Sequence, residues 1–137
     1  MIVEVVGAVI RDAAGRLLTV RKRGTQRFML PGGKRERGED DLTALARELA
    51  EELGVALRSA TLLGRFEAPA ANEAGATVRS HAYLVGIEGE IAIQAEIEEL
   101  LWMDPAATPD VPIAPLLLGQ ILPALIATSR ATLSRSD

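Results

Sequence analysis

Residues 33–55 read GKRERGEDDLTALARELAEELGV, and this stretch decides how the rest of the chain must be arranged. Leu42, Leu45, Leu49 and Leu53 recur at three- and four-residue steps, which marks one face of an α-helix. Asp40 and Asp41 stand at its start, where an aspartate can cap free N–H groups and the helix dipole favours negative charge. Gly54 stands where a left-handed C-cap belongs. With Arg47 set at zero, Glu51 falls at about 40°, Glu48 at about 100° and Glu52 at about 140°, while the four leucines cluster between about 160° and 240°. The helix is therefore expected to bury its leucines and expose its glutamates.

Three glutamates at i, i+3 and i+4 repel one another, by roughly 0.2–0.5 kcal/mol per like-charged pair in an isolated helix. Arg47 can pair with Glu51 one turn on, but one guanidinium cannot neutralise three carboxylates, so divalent cations are the natural complement. Oxygen ligands without imidazole or thiolate select hard ions, Mg²⁺ or Mn²⁺. A glutamate-rich helix face is by default solvated surface. The loop ahead of it, PGGKRERGE, shifts that balance, because its glycines let backbone approach a ligand while the chain carries Glu39 back toward the helix.

These residues resemble the Nudix box: glycine, five residues, glutamate, seven residues, then R-E-U-x-E-E-x-G-U with U aliphatic. Gly33, Glu39, Arg47, Glu48, Leu49, Glu51, Glu52, Gly54 and Val55 fill every position in register. At average residue usage, the seven fixed identities would coincide at a given start about once in 10⁸. The resemblance implies a Nudix fold of the α/β (α+β) class, an α/β/α sandwich with a mixed β-sheet. It implies a Mg²⁺-dependent hydrolase, with Mn²⁺ as the alternative ion, that cuts a phosphoanhydride bond of a nucleoside diphosphate linked to another group. The expected substrate is a (d)NTP or modified nucleotide, with ADP-ribose or a nucleotide sugar as the alternative. By the same resemblance Glu51 and Glu52 are expected metal ligands, Glu48 a ligand or general base, and the Gly33 carbonyl a further ligand. Arg47 and Glu39 are expected to orient the box. Bound metals would polarise phosphoryl oxygens and lower the pKa of an attacking water.

Working outward, residues 2–10 (IVEVVGAVI) and 16–23 (RLLTVRKR) read as two strands joined by the turn DAAG, and are expected to pair as a hairpin. A short extended piece at 28–30 leads into Pro31-Gly32-Gly33 and a loop to about Asp40. Further strands are expected at about 57–68 and 77–87, joined by AANEAGAT, and at 100–103. A helix over 113–128 follows, apolar nearly all round, with Pro115 and Pro123 blurring its limits, and the tail SRATLSRSD is expected to fray.

Site residues outside the box carry weaker signals. Arg21 and Arg23 are expected to contact phosphate as fork-like donors, with Arg27 and Lys34 as looser candidates. In AEIEELLW (95–102), Glu96 and Glu99 are candidates to reach the metals or the catalytic water, Glu99 being taken as the metal ligand. His81, in mid-strand, reads as a satisfied strand histidine. Two subtype markers were weighed. Pro69 lies one position short of a proline that marks ADP-ribose hydrolases, and no tyrosine follows the box closely as in dinucleoside polyphosphate hydrolases.

Bulk properties bound the rest. The chain of 137 residues is expected to form one domain, 1–137, with 48% hydrophobic and 25% charged residues in the ordinary globular range. It has no cysteine, which excludes disulfides, thiolate metal sites and thiol catalysis. The absence of cysteine also sets aside an isoprenoid diphosphate isomerase, which shares the fold and uses one. A non-catalytic nucleotide-binding module is disfavoured by the complete set of box glutamates. A net charge of -4 argues against nucleic acid as partner. The lack of a long apolar run and of a leader-like N-terminus leads to the expectation of a cytoplasmic protein without membrane contact. The resemblance allows a homodimer, with no interface legible in the residues. With only four aromatic residues, Phe28, Phe66, Tyr83 and Trp102, few platforms exist for stacking a base.

Overall fold

The leucine stripe and its caps produce the expected helix, α1, over Asp41–Leu53. Asp40 precedes it in extended conformation, and its carboxylate accepts the Thr43 amide N–H at 2.8 Å. Gly54 ends it at φ 68°, donating its N–H to Ala50 O at 3.2 Å. That left-handed geometry is costly for any residue with a Cβ. Gly54→Ala is expected to reduce the free energy of unfolding by about 1–2 kcal/mol, read as a lower urea midpoint at unchanged slope.

The computed structural model describes residues 1–70 and 74–135, with side chains through residue 128. The strands are β1 (Ile2–Val9), β2 (Leu17–Lys22), β3 (Gly32–Lys34), β4 (Ala56–Pro69), β5 (Thr77–Glu88) and β6 (Ile97–Met103). Four form a sheet in the order β3-β1-β5-β4; β1 runs parallel to β5, and the other pairings are antiparallel. β2 and β6 form a separate antiparallel pair. Of the loop AANEAGAT, residues 71–73 lie outside the described residues.

The hairpin expectation is corrected here. The turn forms, with Gly15 N–H donating to Asp12 O at 3.0 Å, but β1 and β2 then part, linked by a single bridge between Arg11 and Leu17. The cause is burial. Val6, Ala8 and Ile10 enter one core and Val9 enters another, so β1 is buried on both faces and takes an interior place between β3 and β5. A second correction concerns Gly32–Lys34, expected as loop, which pairs with Val5–Gly7 as edge strand β3. Residues 28–30 make isolated bridges, Met29 with Val20 and Phe28 with Ile113.

The first core joins β1 and β2 to Leu45, Leu49 and Leu53 of α1. The second joins Val9, Leu17 and Ala82 to Leu117, Ile121, Leu122 and Leu125 near the C-terminus. Helices thus cover both sides of the strands, as in the expected α/β/α sandwich. The C-terminal segment begins as a π-helical turn, Leu117–Ile121, and continues as α2, Leu122–Arg135. Pro123 explains the wide turn: it has no N–H to give, and its ring needs room that an ordinary α-turn denies. The backbone of the tail remains helical to Arg135 rather than fraying from Ser129; residues 136–137 lie outside the described residues. No described helix is long and apolar enough to cross a membrane.

Candidate active site

The face assignment of α1 holds for Leu45, Leu49 and Leu53, each fully buried, but fails at its two edges. Leu42, in the first turn, is 47% exposed. Glu52, expected on the open face, is 2% exposed. It lies only about 20° from the leucine arc, and the backbone of β3 closes over it.

Two glutamates meet that backbone. The Gly32 amide donates to Glu52 Oε1 at 2.9 Å, while Glu52 Oε2 is buried without a hydrogen-bond partner. Burial pushes the Glu52 carboxyl up to about 7, against the opposing pull of the Gly32 amide and Lys22. Glu48 packs against Gly33, where a Cβ would stand 2.7 Å from Glu48 Oε1. A Cβ on Gly32 would stand 2.0 Å from Val6 O, so the Pro-Gly-Gly step is the only chemistry that lets β3 lie this close to both β1 and the helix acids.

Arg47 locks the box together. It donates to both Glu39 oxygens, at 2.7 and 2.9 Å, to Lys34 O at 3.1 Å, to Glu48 at 2.9 Å and to Glu51 at 3.4 Å. These acceptors, the Glu39 bonds foremost, raise its pKa further. Glu51 is turned outward, with its side chain 53% exposed. Among the described residues no three acidic side chains converge tightly enough to cage an ion. Even so, an orphaned buried carboxylate oxygen and a glycine cradle beside a second carboxylate are what a divalent cation requires. The residues fit such an ion.

A cleft of about 600 Å³ opens beside this corner. Part of its lining is charged or polar, from Lys22, Lys34, Glu48 and Glu96 beside Gly33, and part is apolar, from Val5, Val78, Ala68, Leu116 and Ile121. Lys22 went unnoticed in the sequence. Its Nζ lies 3.4 Å from Glu96 and 3.9 Å from Glu52. Strand alternation was the available signal, since Lys22 shares a face with Leu18 and Val20, which pack against α1.

Arg21 and Arg23 fall on the opposite parity. Arg21 binds Glu99 at 2.6 Å and Thr25 O at 2.7 Å, and Arg23 pairs with Glu98 at 3.2 Å. Neither arginine lines the cleft, nor does Glu99 or Arg27; Glu96 does. His81 is partnered, with Nδ1 2.7 Å from Asp41 Oδ2, which Tyr83 also reaches at 2.6 Å.

The model of the NUDIX domain matches residues 1–123. The chain belongs to the Nudix family. A Mycobacterium tuberculosis relative named for 8-oxo-dGTP diphosphatase is 34% identical over 122 residues, covering 87% of this chain and 84% of its own. The 8-oxo-dGTP diphosphatase of Haemophilus influenzae is 40% identical over 70 residues, 48% of this chain and 52% of that protein, so the match spans about half its length. Among solved structures, the MutT Nudix hydrolase of Burkholderia pseudomallei superposes with TM-score 0.73 at 30% identity, over 83% of this chain and 91% of that one. The ORF135 protein of E. coli gives TM-score 0.79 at 28% identity, over 95% and 92%. Nudix hydrolases generally need a divalent metal.

Proposed function

We propose that this Nudix chain is a single-domain, cytoplasmic nucleotide pyrophosphohydrolase that takes nucleoside triphosphates, oxidised ones included, and releases a nucleoside monophosphate and pyrophosphate. The observation that carries this reading is the corner where Glu52 Oε2, buried without a hydrogen-bond partner, lies behind Gly32 and Gly33, beside a cleft that has both a charged and an apolar part. Phosphates suit the charged part and a nucleoside the apolar one. The named relatives point to the same substrate class.

Glu48, Glu51, Glu52 and the Gly33 carbonyl would hold the divalent ion, Mg²⁺ or Mn²⁺, which supplies charge neutralisation of the phosphoryl oxygens and activation of water. The protein's own groups do the rest. Lys22 Nζ, facing Glu96 and Glu52, is placed to take a phosphoryl oxygen as a point charge. The water oxygen bonds to phosphorus, the anhydride P–O bond breaks, and the water proton passes to a carboxylate of the cleft, Glu48 or Glu96. Arg47 positions Glu48 through their 2.9 Å hydrogen bond. In this reading Glu96, in the turn before β6, replaces Glu99 as the acid from this part of the chain, and Arg21 serves to hold Glu99 and the Thr25 loop.

Gly33→Ala tests the cradle. The new Cβ displaces the end of a flexible side chain, Glu48, so stability should stay within about 1 kcal/mol of wild type. A misplacement near 1 Å at the reacting centre should lower kcat by about 100-fold. Unchanged kcat would remove Glu48 and Gly33 from the proposed site.

A nucleotide-sugar reading has one observation in its favour, since Pro69 and Ala70 both line the cleft. The deciding screen uses purified protein with Mg²⁺ or Mn²⁺ against canonical and oxidised (d)NTPs, ADP-ribose, nucleotide sugars and dinucleoside polyphosphates, detecting monophosphate, pyrophosphate and phosphate. Release of pyrophosphate from triphosphates supports the proposal. Cleavage confined to ADP-ribose or nucleotide sugars moves the substrate class, and metal binding without any cleavage supports a non-catalytic module.

A further inference from the structure

Ser80 is one of three buried polar side chains among the described residues, and the site chemistry above does not use it. Of the other two, Glu52 belongs to the box, and Thr19 spends its hydroxyl on Leu101 O at 2.8 Å. Ser80 is 3% exposed, lines the cleft, and has no side-chain hydrogen bond among the described residues. Its Oγ is not sealed in the core, where among the described residues only Glu52 Oε2 is buried without a partner, so the hydroxyl opens onto the cleft, where a ligand can meet it.

Its surroundings are built around it. In the β1–β5 register Ser80 lies beside Val5, with Val3 and Val78 as the next pair along, and all four line the cleft. On β1 the following residue of that face is Gly7, where a Cβ would meet Leu30 Cδ1 at 3.2 Å and Ser80 Oγ at 3.6 Å. A glycine inside a strand weakens it and marks a place where something else approaches. Here it is the Leu30 side chain that approaches, so Gly7 lets Leu30 and the Ser80 hydroxyl lie side by side on the wall of the cleft.

We propose that the Ser80 hydroxyl is a specificity-determining contact that reads the edge of the bound nucleobase. This rests on the nucleotide reading above. Lys34 on β3 pairs with Val5 on β1, and Val5 pairs with Ser80 on β5, so Ser80 lies two interstrand spacings, about 10 Å, from Lys34, the residue after the glycine pair. With phosphate at the glycine corner, the ribose spans the gap and the base reaches Ser80. A planar base suits the valine walls, and a serine hydroxyl can rotate to donate or accept.

Equilibrium binding of product nucleotides without metal separates base recognition from catalysis. Calorimetric titrations would use dGMP, 8-oxo-dGMP, dAMP, dCMP, dTMP and the base-free 2-deoxyribose 5-phosphate, against wild type, Ser80→Ala and Ser80→Thr, each with its thermal midpoint recorded. Ser80→Ala should weaken the tightest nucleotide by about 10-fold, as loss of one neutral hydrogen bond does, and compress the preference among bases. Binding of 2-deoxyribose 5-phosphate should stay within about twofold, and Ser80→Thr, which keeps the hydroxyl, should retain the wild-type rank order. Equal weakening of every ligand including the base-free one, or no weakening of any, overturns the assignment of Ser80 alone. Failure of wild type to bind any nucleotide, together with no turnover in the screen, overturns the nucleotide reading and this one with it.

Discussion

Replacing Glu52 by glutamine will lower turnover by on the order of 10³-fold, about 4 kcal/mol of transition-state stabilisation, while leaving the protein folded. The intact fold does not follow from exposure, since Glu52 is buried. It rests on what glutamine keeps. The amide oxygen can still accept the Gly32 N–H, and the change removes a buried charge whose second oxygen has no hydrogen bond and only a 3.9 Å ion pair with Lys22. The pH dependence of stability without metal has a definite sign. A carboxyl raised to about 7 in the folded state favours folding in its protonated form, so wild type should lose stability relative to Glu52→Gln as pH rises from the ordinary glutamate range through about 7. Divalent ion should then raise the wild-type melting temperature by mass action and raise that of the variant less. Steady-state kinetics and thermal melts with and without Mg²⁺ check both halves. A variant with near-wild-type kcat would remove Glu52 from the site, and one that unfolds would make it a structural acid.

Leu49→Ala has the largest expected effect on stability, about 2–5 kcal/mol. Leu49 is fully buried in the core formed with Val6, Ala8, Leu18 and Val20. Those neighbours come from two strands held by different partners, so they cannot easily close over the cavity, which favours the upper part of the range. Leu42→Ala is the matched control. It has the same chemistry on the same helical arc, but at 47% exposure it should change stability by no more than about 0.5 kcal/mol. Urea denaturation of both variants decides the point; equal effects would mean that α1 is turned otherwise than described. Glu48, the next residue, lines the cleft, so loosening Leu49 should also depress kcat in the folded fraction.

Features that depend on neighbours within a few residues were legible directly. Helix α1, its Asp40 and Gly54 caps, the family signature and the approximate positions of β4, β5 and β6 all follow from short-range periodicity and capping chemistry. So did the bland reading of His81, whose partner is Asp41. Even the misjudged Glu52 lay within about 20° of the buried arc, an angle too small for sequence to resolve.

Strand partnership belonged to the tertiary structure. The turn at residues 12–15 gives β1 and β2 the local means to pair, but β1 is apolar on both faces, and burying both against two helix layers outweighs a two-stranded ribbon. That choice brings β3 to the edge over Glu48 and Glu52. It also turns Lys22 rather than Arg21 or Arg23 into the cleft, and puts Ser80 and Gly7 on one wall although 73 residues separate Gly7 from Ser80 in the chain. The sequence by itself determined which acids the protein carries and which helix presents them, because those are properties of adjacent residues. Only the packed sheet decided which of them are buried, which cation faces them and what lines the apolar part of the cleft, because these depend on contacts between residues far apart in the chain.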